Sequence, residues 1–133
     1  MIFYYLDASA WVKRYYLETG TSWVQGLFAQ NQLIACASLG FIEVMATLSR
    51  KRKAQEIATS QFKQKAMELE DDWKHFIQVH MAVEIVDTAK ELTKKLSIRG
   101  ADAVHLASTL ILRNRFKEKN DRLIFVASDH ELK

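Results

Sequence analysis

Two aspartates close two apolar runs: Asp7 follows residues 2–6, and Asp129 stands just beyond residues 123–127. Two further acids, Glu43 and Asp102, fall early in stretches with helical spacing. Each has an ordinary role available to it, as a helix cap, a complement to a helix dipole or part of a solvated face. Their joint placement suggests more. Two unit charges about 4 Å apart repel by roughly 4 kcal/mol at an effective dielectric of 20, so carboxylates gathered at one rim require protonation or a cation. Oxygen-only ligation favours Mg2+ or Mn2+ over zinc, and no His/Cys set here has zinc-site spacing. Such an ion acidifies water, orients it and offsets phosphate charge, so the chemistry suggested is phosphodiester hydrolysis.

The elements that must position these acids follow from the pattern of apolar residues. Residues 2–6 and 33–37 read as strands buried on both faces, with further strands at 76–80 and 123–127. Helical patterns cover 8–17, 22–30, 38–53 with Ser38 as N-cap, 58–73, 83–96 and 101–113. In the last of these Ala103, Leu106, Ala107 and Leu110 make one apolar stripe of mostly small side chains suited to close packing on a sheet. Strands alternating with helices predict an α/β fold with a mainly parallel central sheet flanked by helices, joined by right-handed crossovers. Sites in such sheets form beyond the carboxyl ends of the strands, where Asp7 and Asp129 fall and near which lie Asp102, in the first turn of its helix, and Glu43, in the second turn of its own.

The 133 residues suit one domain, 1–133, with no proline, repeat or low-complexity linker. A net charge of +3 and a pI of about 9.0 give weak support for a polyanionic partner. Cys36, the single cysteine, excludes an intramolecular disulfide framework and reads as a buried small hydrophobe, which points to a reducing cytoplasm. The apolar start, residues 1–6, is too short for a signal peptide or a membrane span, so a soluble, unexported protein is expected.

Other features weigh less. His105 lies three residues after Asp102, and a core histidine is favoured over a proton-transfer group; His130 beside Asp129 is similar, and His75 and His80 lack a partner at ligand spacing. Lys13, Arg14 and the run 50–53 are candidates for phosphate contact, with a solvated face as the plainer role. Trp11, Tyr15 and Tyr16 are expected in the core rather than on bases or at a dimer interface. The amphipathic stretch 58–73, with Phe62, Met67, Leu69 and Trp73, is expected to pack within the chain before it receives any partner helix.

At the four acids the chain resembles the PIN-domain family, in particular the VapC-type toxins of toxin–antitoxin pairs. The resemblance spans essentially the whole chain: Tyr5-Leu6-Asp7-Ala8-Ser9-Ala10, Glu43-Val44-Met45-Ala46, Arg99-Gly100-Ala101-Asp102-Ala103-Val104-His105-Leu106-Ala107 and Phe125-Val126-Ala127-Ser128-Asp129. It implies a PIN-like sheet, Mg2+- or Mn2+-dependent endoribonuclease activity on RNA, frequent homodimerisation and inhibition by a cognate antitoxin. By position, Asp7, Glu43 and Asp102 match the family's core metal-binding acids, and Asp129 a less uniform fourth. Ser9 matches the small hydroxyl residue near the first acid, placed to orient Asp7 or water. Ala8 stands where a threonine is common, at a side chain that is not a required ligand.

Two other classes compete with this reading. One is a catalytically silent PIN-like RNA-binding or protein-interaction module, against which the intact acidic set argues. The other is an acidic-site phosphatase or phosphoacceptor; dehalogenase-like phosphatases place a second aspartate two residues after the first, where this chain has Ser9.

Overall fold

The structure is a computed structural model and describes residues 1–116 and 121–128. Four strands form one parallel sheet in the order β3-β2-β1-β4: β1 (Ile2–Leu6), β2 (Leu33–Ala37), β3 (Ile77–Val79) and β4 (Arg122–Val126). The chain steps outward from β1 through β2 to β3, then returns to lay β4 on the other side of β1. That reversal places the carboxyl ends of β1 and β4 together at a topological switch point, where open α/β sheets form sites. The Asp7 amide continues the pairing past the strand end by donating to the Val126 carbonyl at 3.1 Å.

The helices are α1 (Ala8–Trp11), α2 (Thr21–Ala29), α3 (Ser38–Lys53), α4 (Thr59–Lys74), α5 (Val83–Leu96) and α6 (Gly100–Arg115). No helix among the described residues is long and apolar enough to cross a membrane. Where the sequence predicts one helix over 8–17, α1 instead tightens after Trp11 into a 3-10 turn, Val12–Arg14, closed by a bond from the Tyr15 amide to the Val12 carbonyl. Side-chain bonds favour this early stop: Trp11 Nε1 donates to the Tyr15 hydroxyl, and Arg14 reaches across to Asp72 on α4. Ser38 also departs from expectation. Ala37 is the N-cap of α3, and the Ser38 hydroxyl instead pairs with His80 Nδ1 at 2.8 Å.

The main core joins the sheet to α1–α4. Tyr5, Leu6, Ala35 and Cys36 are fully buried, as expected for strands covered on both faces. Trp11 is central, its ring 4.5 Å from Phe76 and 5.9 Å from Trp73, which stacks in turn on Phe41. Trp11 and Tyr15 therefore belong to the core, and Tyr16 carries Lys51 over its ring. A second cluster, Ile85, Ala89, Ala103 and Ala107, zips α5 to α6, where the small side chains let the helices approach closely.

Candidate active site

Asp7 is the N-cap of α1. Its Oδ1 accepts the Ala10 amide at 3.0 Å and the Ser9 hydroxyl at 2.7 Å. Both bonds end on one oxygen and leave Oδ2 without a described donor. Asp7 is only 3% exposed. Burial raises its carboxyl above the ordinary range; the bonds from Ser9 and Ala10 oppose that rise, and the nearby Asp102 charge adds to it. Among the described groups, desolvation thus outweighs the neighbours that favour its charged form, His105 included.

Asp102 lies in the first turn of α6, where the helix dipole favours an acid, and is itself buried. Arg99, one position before α6, holds Asp102 Oδ2 at 3.3 Å. Glu43, on α3, is half-buried and receives His105 Nε2 on Oε1 at 2.6 Å. Asp7, Ser9, Glu43, Arg99, Asp102 and His105 line one cavity of about 200 Å³ at the sheet rim. Three of the four expected acids, with Ser9, are therefore brought to the same cavity. Asp129 lies outside the described residues.

Among the described residues, no three His, Cys, Asp or Glu side chains are already gathered as a metal site. Each acid is instead engaged by a neighbour: Glu43 by His105, Asp102 by Arg99, and Asp7 by Ser9 and Ala10. The donor set facing the cavity is nonetheless carboxylate oxygen, with the one histidine nitrogen directed at Glu43 already engaged. That chemistry fits a hard cation rather than zinc.

A wider groove of about 650 Å³ adjoins this cavity and shares Ser9 and Glu43 with it. Lys13, Arg50 and Lys51 line its walls, so two of the basic clusters seen in the sequence converge beside the acids. Arg14 does not join them. Its Nε pairs with Asp72 Oδ2 at 2.6 Å, and its guanidinium lies 3.8 Å from the Phe28 ring centroid.

Several participants escaped the sequence reading. Tyr5, which bonds His105 Nδ1 at 2.8 Å, reads in the sequence as a strand residue at the head of the first motif, with no role of its own. Arg99 and Ser128 flank recognised acids but carry no spacing signal of their own. His105 is buried with both ring nitrogens engaged, as expected of a core histidine, yet one of its partners is the candidate ligand Glu43.

No family model matches the chain. Ribonuclease VapC45 and Ribonuclease VapC49, both of Mycobacterium tuberculosis, are each 33% identical to it over 106 residues, spanning 80% of this chain and 74% of theirs. Two solved structures share its fold at 17% sequence identity. A toxin–antitoxin complex from Klebsiella pneumoniae superposes with a TM-score of 0.64 over 94% of this chain and 85% of that one. VapBC2 from Rickettsia felis, bound to a promoter DNA fragment, superposes with a TM-score of 0.60 over 96% of this chain and all of that one. The acids at the rim of a β3-β2-β1-β4 parallel sheet, together with one-third identity over most of both chains, place this protein in the VapC ribonuclease family.

Proposed function

We propose that the chain is one PIN-like nuclease domain over 1–133, a divalent-metal-dependent endoribonuclease that hydrolyses RNA phosphodiester bonds as the toxin of a toxin–antitoxin pair. The observation that carries this reading is the convergence of Asp7, Glu43 and Asp102 on one cavity that opens beside a basic groove. These three acids are the proposed ligands of Mg2+ or Mn2+, with Asp129 as the fourth. When bound, such an ion acidifies water, orients it for in-line attack and offsets charge on the phosphate.

The protein's own contribution is positioning. Ser9 and the Ala10 amide fix Asp7 by Oδ1 and leave Oδ2 to the cavity. His105 holds Glu43 by Oε1, and Arg99 holds Asp102 by Oδ2. The raised Asp7 carboxyl marks a buried charge that a cation would compensate. Arg50, which no described acid pairs, gives the groove the positive charge that a phosphate backbone favours, beside Lys13 and Lys51, which pair with Glu18 and Glu56.

The solved structures similar to this one are a toxin–antitoxin complex and VapBC2 on promoter DNA. By that likeness we assign this chain a cognate antitoxin partner; we take a homodimeric state from the family resemblance of its motifs and a cytoplasmic location from its single, buried cysteine. The test is cleavage of RNA by purified wild type, Asp7→Ala and Asp102→Asn proteins. Metal-dependent cleavage lost in both folded variants supports the reading, whereas full activity in both would sink it.

A further inference from the structure

Resting on the metal-site reading above, we propose that His105 is a positioning residue for Glu43 and that Tyr5 fixes the ring tautomer with which it acts. Four groups form a continuous chain of hydrogen bonds: Ala37 N to Tyr5 Oη at 3.1 Å, Tyr5 Oη to His105 Nδ1 at 2.8 Å, and His105 Nε2 to Glu43 Oε1 at 2.6 Å. Tyr5 is fully buried and His105 only 2% exposed, so every polar atom in the chain needs its partner.

Proton accounting sets the direction. The Ala37 amide can only donate, so the Tyr5 oxygen accepts there, and its own proton is assigned to Nδ1 at 2.8 Å rather than to the neighbouring Cys36 or Ser108 side chain. An ionised carboxylate can only accept, so the proton between His105 and Glu43 belongs to Nε2. Together the two assignments describe a ring protonated on Nε2 with Nδ1 as acceptor, the form the ¹⁵N spectrum below tests. Tyr5 thereby converts the fixed end of β2 into a fixed donor aimed at Glu43.

The packing makes room for this and for little else. Gly40 sits one helical turn before Glu43 on α3, and a Cβ there would lie 3.0 Å from His105 Cε1 and 2.3 Å from Cys36 Sγ. Only a residue without a side chain lets α3 come down onto the ring. Glu43 has no other described side-chain partner, so without His105 its carboxylate would sample several rotamers on a half-exposed helix face. With the ring in place, Oε1 is held and Oε2 is the oxygen left to the cavity. Outer hydrogen-bond partners of metal-ligating groups typically govern about 10- to 100-fold in metal affinity or activity.

The experiment measures Mn2+ binding alone, by calorimetry, in wild type, His105→Ala, His105→Gln, Tyr5→Phe and Asp102→Asn, together with the ¹⁵N spectrum of the histidine rings. The expected result is that His105→Ala binds Mn2+ about 10- to 100-fold more weakly. His105→Gln, whose amide can donate to Glu43 and accept from Tyr5, should recover most of that loss. Tyr5→Phe retains the ring stacked on Phe125 at 5.6 Å and removes only the oxygen, so it carries the test even if His105→Ala does not fold. It should weaken Mn2+ binding several-fold and shift the His105 signals away from the Nε2-protonated pattern. Wild-type Mn2+ affinity in both His105→Ala and Tyr5→Phe, or an Nδ1-protonated ring in the wild type, overturns the proposal. Asp102→Asn separates the two levels: loss of Mn2+ binding there with none in the ring variants defeats the positioning role alone. Wild-type Mn2+ binding and RNA cleavage in Asp102→Asn defeats the metal-site reading beneath it.

Discussion

Ser9 and Ser128 are bonded to each other twice: the Ser9 hydroxyl accepts the Ser128 amide at 3.1 Å, and the Ser128 hydroxyl donates to the Ser9 carbonyl at 3.1 Å. The Ser9 hydroxyl also donates to Asp7 Oδ1, so one side chain links the end of β4 to the acid at the end of β1. Ser9→Ala removes two of these three bonds, and Ser128→Ala only one. We expect Ser9→Ala to lower RNA cleavage about tenfold, in line with lost outer hydrogen bonds at metal sites, and Ser128→Ala to lower it less. Steady-state cleavage rates of the two variants check the order.

The Asp7 carboxyl is raised chiefly by burial, and this makes a stability prediction with a definite sign. The folded protein binds that proton more tightly than the unfolded chain does, so the group's stabilising contribution is complete below the ordinary aspartate range. It is lost as pH rises through the raised value. Asp7→Asn removes the buried charge and keeps an oxygen for Ser9 and Ala10. In chelator at neutral pH, Asp7→Asn should therefore melt at a higher temperature than wild type while losing activity, and the difference should shrink on acidification. Thermal unfolding across pH 3–8 reads this directly.

Arg50 lines the basic groove and, among the described residues, its side chain bonds only within its own helix, to Thr47 Oγ1 at 3.0 Å. Arg50→Ala should raise KM for RNA with little change in kcat. It should also reduce the slope of log affinity against log salt by about 0.7, the value for one lost phosphate contact on a single strand. Filter binding over a salt series with a cleavage-inactive variant measures it. Arg14, committed to Asp72 and Phe28, should leave that slope unchanged when replaced by methionine.

Gly40→Ala should destabilise the fold by about 1–3 kcal/mol, the usual cost of overpacking, because the new methyl meets the Cys36 sulfur and the His105 ring. Cys36→Ala vacates the closer of those two contacts. The double variant should therefore be more stable than the sum of the single effects predicts, as expected for residues in contact. Urea denaturation of the four proteins closes the cycle.

The strands and most helices were legible because their signals are local. β1 and β2 are unbroken apolar runs, observed at the expected bounds, and α5 likewise spans Val83–Leu96. Asp7 was legible because a strand end and a family motif coincide there. The early stop of α1 was not, since Arg14 finds its partner 58 positions away on α4. The support beneath Glu43 was hidden for the same reason: Tyr5 and His105 are 100 positions apart, and His105 and Glu43 are 62 apart. A helical spacing relates His105 to Asp102, its neighbour in sequence, but packing across Gly40 turns the ring to Glu43 instead.

The most direct measurement of the central claim is the chemistry of the RNA ends produced by purified wild-type protein with Mg2+, with Mn2+ and with chelator. Attack by water leaves a linear phosphate on one fragment and a hydroxyl on the other, in reactions that stop when the metal is removed. Cleavage that survives chelation, or ends bearing a 2′,3′-cyclic phosphate from attack by the RNA's own hydroxyl, would contradict the account.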